Sequence, residues 1–198
     1  GYTIGSDDKR IYLTFDCGYE NGYTLKILDV LKETDTKACF FITGHYLNSS
    51  YDIVKRMITD GHIVGNHTYS HKSFNESSNE EILNDIKKLE DLYKEKTGLT
   101  MSKYIRPPKG EYTEKSQKLL ADSGYSSIFW SLAYVDWYKD KYYGNHYSYN
   151  NVMKKIHNGA IILMHSVSKD TTLDLKDIII DLKEKGYIFS SLDDLSSR

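Results

Sequence analysis

Short runs of strand-forming residues alternate with helical patterns along the whole chain, and this alternation restricts the fold more than any single motif does. The segments "RIYLTF", "KACFFIT", "HIVG", "KYIR", "YSSIFW", "AIILM" and "YIFS" are rich in β-branched and aromatic residues and read as strands. Between them, "YTLKILDVLKET" has apolar positions at Leu25, Leu28 and Leu31, and Ser78 with Glu81 forms a capping box ahead of Ile82, Ile86, Leu89 and Leu92. Gly61, Gly124, Gly159 and Gly186 each fall between a helical segment and a strand, where a left-handed, helix-ending residue belongs. Such punctuation builds a mostly parallel sheet with helices outside it. There is no internal repeat and no linker; the polar stretch from Tyr138 to Asn150 reads as one long loop. With 198 residues, 39% of them hydrophobic, one domain spanning residues 1–198 is expected.

The reactive side chains fall at the carboxyl ends of these strands. Asp16 follows the first, His67 and His71 the third, Arg106 ends the fourth, Asp136 lies beyond the fifth, and His165 follows the sixth. In an open doubly wound sheet only strand ends beside the switch point share a crevice, whereas a barrel brings every strand end to one rim. Five contributing strands favour the barrel, and seven strands instead of the usual eight predict a distorted or incomplete one.

Taken singly, these residues leave alternatives open. "HTYSH" gives two imidazoles four apart, which share a face and can hold one metal ion if the segment is helical, or are two surface histidines if it is not. "RPPKG" fixes a guanidinium before two rigid residues, suited to holding a carboxylate in a bidentate fork, although a surface turn has the same composition. His165 after an apolar strand and Asp136 beside Trp137 are ambiguous alone. The formal charge of −2 and a pI near 6.4 provide no basic field for nucleic acid. No apolar run approaches the ~18 residues of a membrane span, and the absence of an initial Met leads to the expectation that a targeting segment has been removed or left out. Cys17 and Cys39 are too few for a disulfide framework, and a spacing on the order of 15 Å along neighbouring strands predicts that both stay reduced.

The combination is specific. "TFDCG", "HTYSH", "RPPKG", "VDW" and "LMH" occur in the order and at the strand ends seen in polysaccharide deacetylases, and from about Arg10 to Leu195 the chain resembles that family, also called the NodB homology domain or carbohydrate esterase family four. "TFDCGYENGYT", "RPPKG", "FWSLAYVDW" and "HSVSKD" are most similar to its delta-lactam-biosynthetic subgroup, which removes acetyl from muramic acid during spore cortex formation.

The resemblance implies an α/β fold of the incomplete (β/α) barrel type and a division of labour. Asp16 is the general base, His165 the general acid, Arg106 the residue that orients the base, and Asp136 the carboxylate that holds His165. Trp137 and Leu163 correspond to walls of the acetyl pocket, and the backbone N–H of Lys109 to an oxyanion donor. His67 and His71 map onto metal ligands for a divalent ion, with zinc the expected metal. Cys17 stands where the family has a metal-binding Asp and is a candidate third ligand, with a spectator thiol as the alternative. Ala133 replaces an Asp of the family's orienting network. The implied substrate is peptidoglycan glycan from which an amidase has removed the stem peptides, and the implied location is extracytoplasmic, at the cell wall or forespore cortex. A monomer is expected. The alternatives are a deacetylase acting on N-acetylglucosamine in peptidoglycan or chitin, and a decayed scaffold that only binds carbohydrate.

Overall fold

The computed structural model describes residues 1–195. Its strands are β1 (Arg10–Cys17), β2 (Cys39–Ile42), β3 (Ile63–Asn66), β4 (Tyr104–Ile105), β5 (Ser126–Ser127), β6 (Ile161–His165) and β7 (Ile188–Phe189). All pair in parallel, in the order β5-β4-β3-β2-β1-β6, with β7 against the first residues of β1. The segment leaving β5 then approaches β6, where Leu132 bridges Ile162 and the Leu163 N–H donates to Leu132 O at 2.9 Å. The result is the curled, incomplete barrel expected, with the strand carboxyl ends on one rim.

Around it lie α1 (Thr24–Glu33), α2 (Gly44–Ser49), α3 (Tyr51–Thr59), α4 (Asn79–Thr97), α5 (Glu114–Asp122), α6 (Tyr147–Lys155) and α7 (Lys169–Glu184). The capping box at Ser78 and Glu81 is formed, and Gly98 ends α4 in the left-handed region. The loop expected from Tyr138 to Asn150 is shorter than its composition suggests, because α6 begins at Tyr147. Its start has no side-chain cap of its own; Asp174 on α7 accepts the Tyr149 N–H, and Asp170 accepts the N–H groups of Tyr143 and Gly144. Tertiary contacts thus do what a local cap usually does.

Alternation along β1 divides the core. Ile11, Leu13, Phe15 and Cys17 face the helices, packing with Ile27, Leu28, Leu31, Ile178 and Leu182. Tyr12, Thr14 and Asp16 take the opposite face, toward the barrel interior, where Tyr12 packs with Phe41, Ile161 and Leu192. The register places Thr14 beside Leu163 and Asp16 beside His165 on the neighbouring strand. One face of two adjacent strands therefore delivers three of the residues singled out above, Asp16, Leu163 and His165, with Thr14 beside them.

A buried histidine outside the site gives a stability prediction. His62 accepts the Ala38 N–H on Nδ1 at 3.1 Å, its Nε2 is buried without a partner among the described residues, and burial, with Lys37 nearby, lowers its pKa from 6.5 to about 4. Between these values the unfolded chain binds a proton that the folded chain refuses, so stability is full above pH 6.5 and is lost as pH falls toward 4. His62 is expected to contribute about 2 kcal/mol of the stability lost between about pH 7 and pH 5. Urea unfolding at both pH values checks this: His62→Gln should flatten the dependence, and an unchanged slope would show that another group is responsible.

Candidate active site

Arg106 is the most buried charge in the structure and fixes the centre of the site. At the end of β4 its guanidinium enters the barrel interior, 4.4 Å from the Phe41 ring centroid and 5.5 Å from that of Trp130. Its Nη1 donates to Thr14 Oγ1 at 2.8 Å and to Asp16 Oδ1 at 3.0 Å; Nε donates to Ile128 O and Nη2 to Phe129 O, each at 2.9 Å. The bidentate fork expected of "RPPKG" is thus replaced by a single contact with the carboxylate, because backbone carbonyls after β5 take the other donors. These carbonyls and Thr14 fix Arg106 even though Ala133 supplies no carboxylate.

Asp16 presents its other oxygen to the crevice, with Oδ2 at 3.5 Å from His67 Nε2 and 3.9 Å from His165 Nε2. Burial alone would raise its pKa; His67, Arg106 and His165 outweigh burial and hold the carboxyl below its ordinary value. Across from it, burial would lower the pKa of His165, but the hydrogen bond and charge of Asp136, with Asp16, raise it. Asp136 is buried and accepts three times: from His165 Nδ1 on Oδ1, and from the His165 backbone N–H and Thr171 Oγ1 on Oδ2, each at 2.8 Å. With the Thr171 proton committed to Asp136, the Tyr134 hydroxyl, 2.7 Å away, is the donor to Thr171. This locks the imidazole with Nε2 toward the crevice.

"HTYSH" is not helical. Thr68 and His71 have φ of 69° and 58°, in the left-handed region that a β-branched residue such as Thr68 seldom enters. The turn is held by Asn66, whose Oδ1 accepts the Thr68 N–H while its Nδ2 donates to Ile86 O, and by Thr68 Oγ1, which accepts the His71 N–H. The turn, not a helix face, brings the two imidazoles together with Nε2 atoms 3.1 Å apart. That is close to the ~3.3 Å edge made by two bonds of about 2.0–2.1 Å at a tetrahedral angle. His67 Nδ1 lies 2.8 Å from Arg106 O, which requires a proton on Nδ1 and makes Nε2 the acceptor of the His71 Nε2–H, the lone pair that a bound ion would take instead. Burial lowers the pKa of both imidazoles, that of His71 to about 4, with the charge of His67 adding to the effect, so both are neutral donors near pH 7. In chemistry and spacing the pair fits a divalent ion. Among the described residues, however, no group of three or more His, Cys, Asp or Glu forms a complete metal centre.

Cys17 does not join them, contrary to the expected third ligand. Strand alternation turns it away from Asp16 into the helix-facing core, fully buried, where Ser166 Oγ donates to its Sγ at 3.3 Å. Burial pushes its pKa up, so it is a neutral thiol. Cys39, opposite Thr14 in the register, belongs to the interior cluster on the other face, and both thiols are free, as expected.

The remaining expected residues reach the crevice. Asp16, His67, His71, Lys109, Trp137, Leu163 and His165 line one cavity of about 1140 Å³ at the rim, together with Tyr19, Trp130 and Tyr147. Trp137 is half-exposed, with its ring centroid 6.0 Å from that of His165. Thr14, Asn66, Tyr134 and Thr171 escaped the sequence reading; the even-numbered positions of β1 signal Thr14, but the other three act through tertiary contacts that no local pattern reveals.

An ionised carboxylate and an imidazole with raised proton affinity, facing each other beside a donor pair suited to a cation, define a hydrolase that removes an acyl group by acid–base attack of water. Residues 4–128 match the family model described as polysaccharide deacetylase, and the chain belongs to that family. The peptidoglycan-N-acetylmuramic acid deacetylase PdaA of Bacillus subtilis is 43% identical over 195 residues, covering 98% of this chain and 74% of PdaA. Its solved structure superposes with a TM-score of 0.94 at 41% identity, covering 98% and 84% of the two chains. A Bacillus cereus peptidoglycan-N-acetylglucosamine deacetylase is 36% identical, over 92% of this chain and 66% of that protein. A structure described as a pseudoenzyme of the same family, from Bacillus anthracis, has a TM-score of 0.88 at 30% identity, covering 98% and 67%.

Proposed function

We propose that the chain removes the N-acetyl group of N-acetylmuramic acid in peptidoglycan strands whose stem peptides an amidase has already cleaved, the step that leads to muramic δ-lactam in spore cortex. The observation that carries the deacetylase part is the Asp16 and His165 pair, each held from behind by a buried partner, Arg106 and Asp136. A scaffold that only binds sugar needs neither group in those charge states. The muramic acid part is supported by the higher identity to PdaA, 43%, than to the Bacillus cereus glucosamine enzyme, 36%. A wall substrate implies action outside the cytoplasm; among the described residues no helix is long and apolar enough to cross a membrane.

His67 and His71 would hold the divalent ion, for which their imidazole donors make zinc the first choice. Such an ion supplies Lewis-acid polarisation of the acetamide carbonyl and of water. Asp16 takes the proton from the attacking water through Oδ2, the oxygen not bonded to Arg106. In this turn Gly110 donates to Pro107 O and Glu111 to Pro108 O, and the Lys109 N–H is the donor assigned to the developing oxyanion. His165 Nε2, with Nδ1 held by Asp136, gives its proton to the departing amine, releasing acetate and a free amino sugar.

Mass spectrometry of glycan digested after treatment with an amidase and this protein tests the substrate. Loss of 42 mass units, about one acetyl, on muramic acid is the expected result. Loss confined to glucosamine would establish the alternative substrate.

A further inference from the structure

Among the described residues, Lys109 carries a charge that no carboxylate or hydrogen-bond acceptor pairs with. It stands at φ 58° and ψ 12° between Pro108 and Gly110, a conformation that strains any residue with a side chain. The turn has little freedom: Pro107 and Pro108 precede it, and Gly110, at φ 68°, packs so close to Trp130 that an added Cβ would lie 2.5 Å from the indole. The backbone therefore commits Lys109 to the rim of the crevice that His71 and Asp16 also line.

The charges lining that crevice are few. Asp16 is matched by the buried guanidinium of Arg106, and Lys155 on α6 donates to Ala133 O at 2.8 Å. Lys109 is exposed and, among the described residues, has neither a carboxylate partner nor a side-chain hydrogen bond. A site that, among the described residues, neutralises its one lining carboxylate and keeps an unspent ammonium on the rim it shares with the reacting groups is complementary to an anionic substrate group near the scissile amide.

N-acetylmuramic acid has such a group and N-acetylglucosamine does not. The lactyl ether sits on the ring carbon next to the one bearing the acetamide, so its carboxylate stays within a few ångströms of the scissile bond. When a stem peptide is attached, that carboxyl is an amide and carries no charge. We infer that Lys109 is the residue that selects muramic acid with a free lactyl carboxylate, its ammonium receiving that carboxylate while the neighbouring acetamide lies between Asp16 and His165. The inference rests on the muramic acid reading above and extends it: one side chain reads both the sugar and the removal of its peptide. A charge-assisted contact of this kind adds to affinity chiefly for the charged substrate.

The test compares acetate release from two glycans that differ only in the lactyl group, one with the free acid and one with its methylamide. The ratio of their kcat/KM values cancels any effect of a substitution on the backbone N–H of Lys109. Wild-type protein should prefer the acid about tenfold, mainly through KM, and added salt should reduce the preference. Lys109→Gln should bring the ratio close to one, and Lys109→Arg should restore most of it. A Lys109→Gln variant that keeps the wild-type ratio would overturn the inference and leave the muramic acid reading intact. Wild-type protein that releases acetate from N-acetylglucosamine oligomers but from neither muramic substrate would overturn the reading, and the inference with it.

Discussion

Asp16→Asn should lower kcat by roughly 10² to 10⁴, the range typical of removing a general base, without unfolding the chain. The amide keeps an oxygen for Arg106 Nη1, and the guanidinium retains Thr14 Oγ1, Ile128 O and Phe129 O, so the buried positive charge is still surrounded by acceptors. What is lost is the Oδ2 lone pair that receives the proton of water. His165→Ala should cost a comparable factor from the opposite end of the proton path. The imidazole acts in its protonated form, which exists only below its pKa, and Asp136 raises that pKa above 6.5. Wild-type activity should therefore decline on the alkaline side as pH passes through this raised value, and the His165 variant should lose that limb. Steady-state rates of acetate release across pH, with circular dichroism to confirm folding, check both substitutions. Activity within tenfold of wild type in either variant would remove the assigned roles.

Arg106→Met is expected to have the largest effect on stability. The guanidinium is fully buried and makes hydrogen bonds with four partners inside the barrel. Methionine fits the apolar walls of Phe41 and Trp130 but leaves the carbonyls of Ile128 and Phe129 without their donors and Asp16 without its counter-charge. Breaking one side of such a buried pair costs about 3–5 kcal/mol. Losing Arg106 also removes one of the charges that hold the Asp16 carboxyl down against its burial, so the base titrates upward and a smaller fraction is ionised at neutral pH. Urea unfolding should show the stability loss, and the acidic limb of the rate profile should move to higher pH. A stable variant with an unmoved acidic limb would contradict the role given to Arg106.

The barrel was legible because each strand announces itself by β-branched and aromatic residues and each helix by spacing and glycine stops. The strand lengths were less so. "YSSIFW" contributes only Ser126 and Ser127 to β5; Ile128 then bridges Tyr2, and the carbonyls of Ile128 and Phe129 serve Arg106. No local propensity encodes a carbonyl required by a side chain 22 or 23 residues earlier. The spacing of the histidine pair is legible, but its geometry is not: a strained turn at Thr68 and His71, and not a helix face, brings the imidazoles together. The direction of Cys17, and with it the spectator-thiol alternative, is also legible. Alternation on β1 makes Asp16 and Cys17 face opposite sides, so a chain that aims Asp16 into the crevice must bury Cys17 among the helices. The helix at Tyr147 was hidden because its first turn is held by acidic residues of α7 and not by a cap in its own sequence.

The central claim is that this crevice hydrolyses an N-acetyl amide with Asp16 as base and His165 as acid. The most direct measurement is the stoichiometry of acetate and new primary amine formed when the purified protein, supplied with a divalent metal, acts on N-acetylated peptidoglycan glycan lacking stem peptides. One acetate per amine from wild-type protein, with both products falling together by at least about 10² in Asp16→Asn, is the predicted result. Absence of both products from wild-type protein, or the same yield from Asp16→Asn, would contradict it.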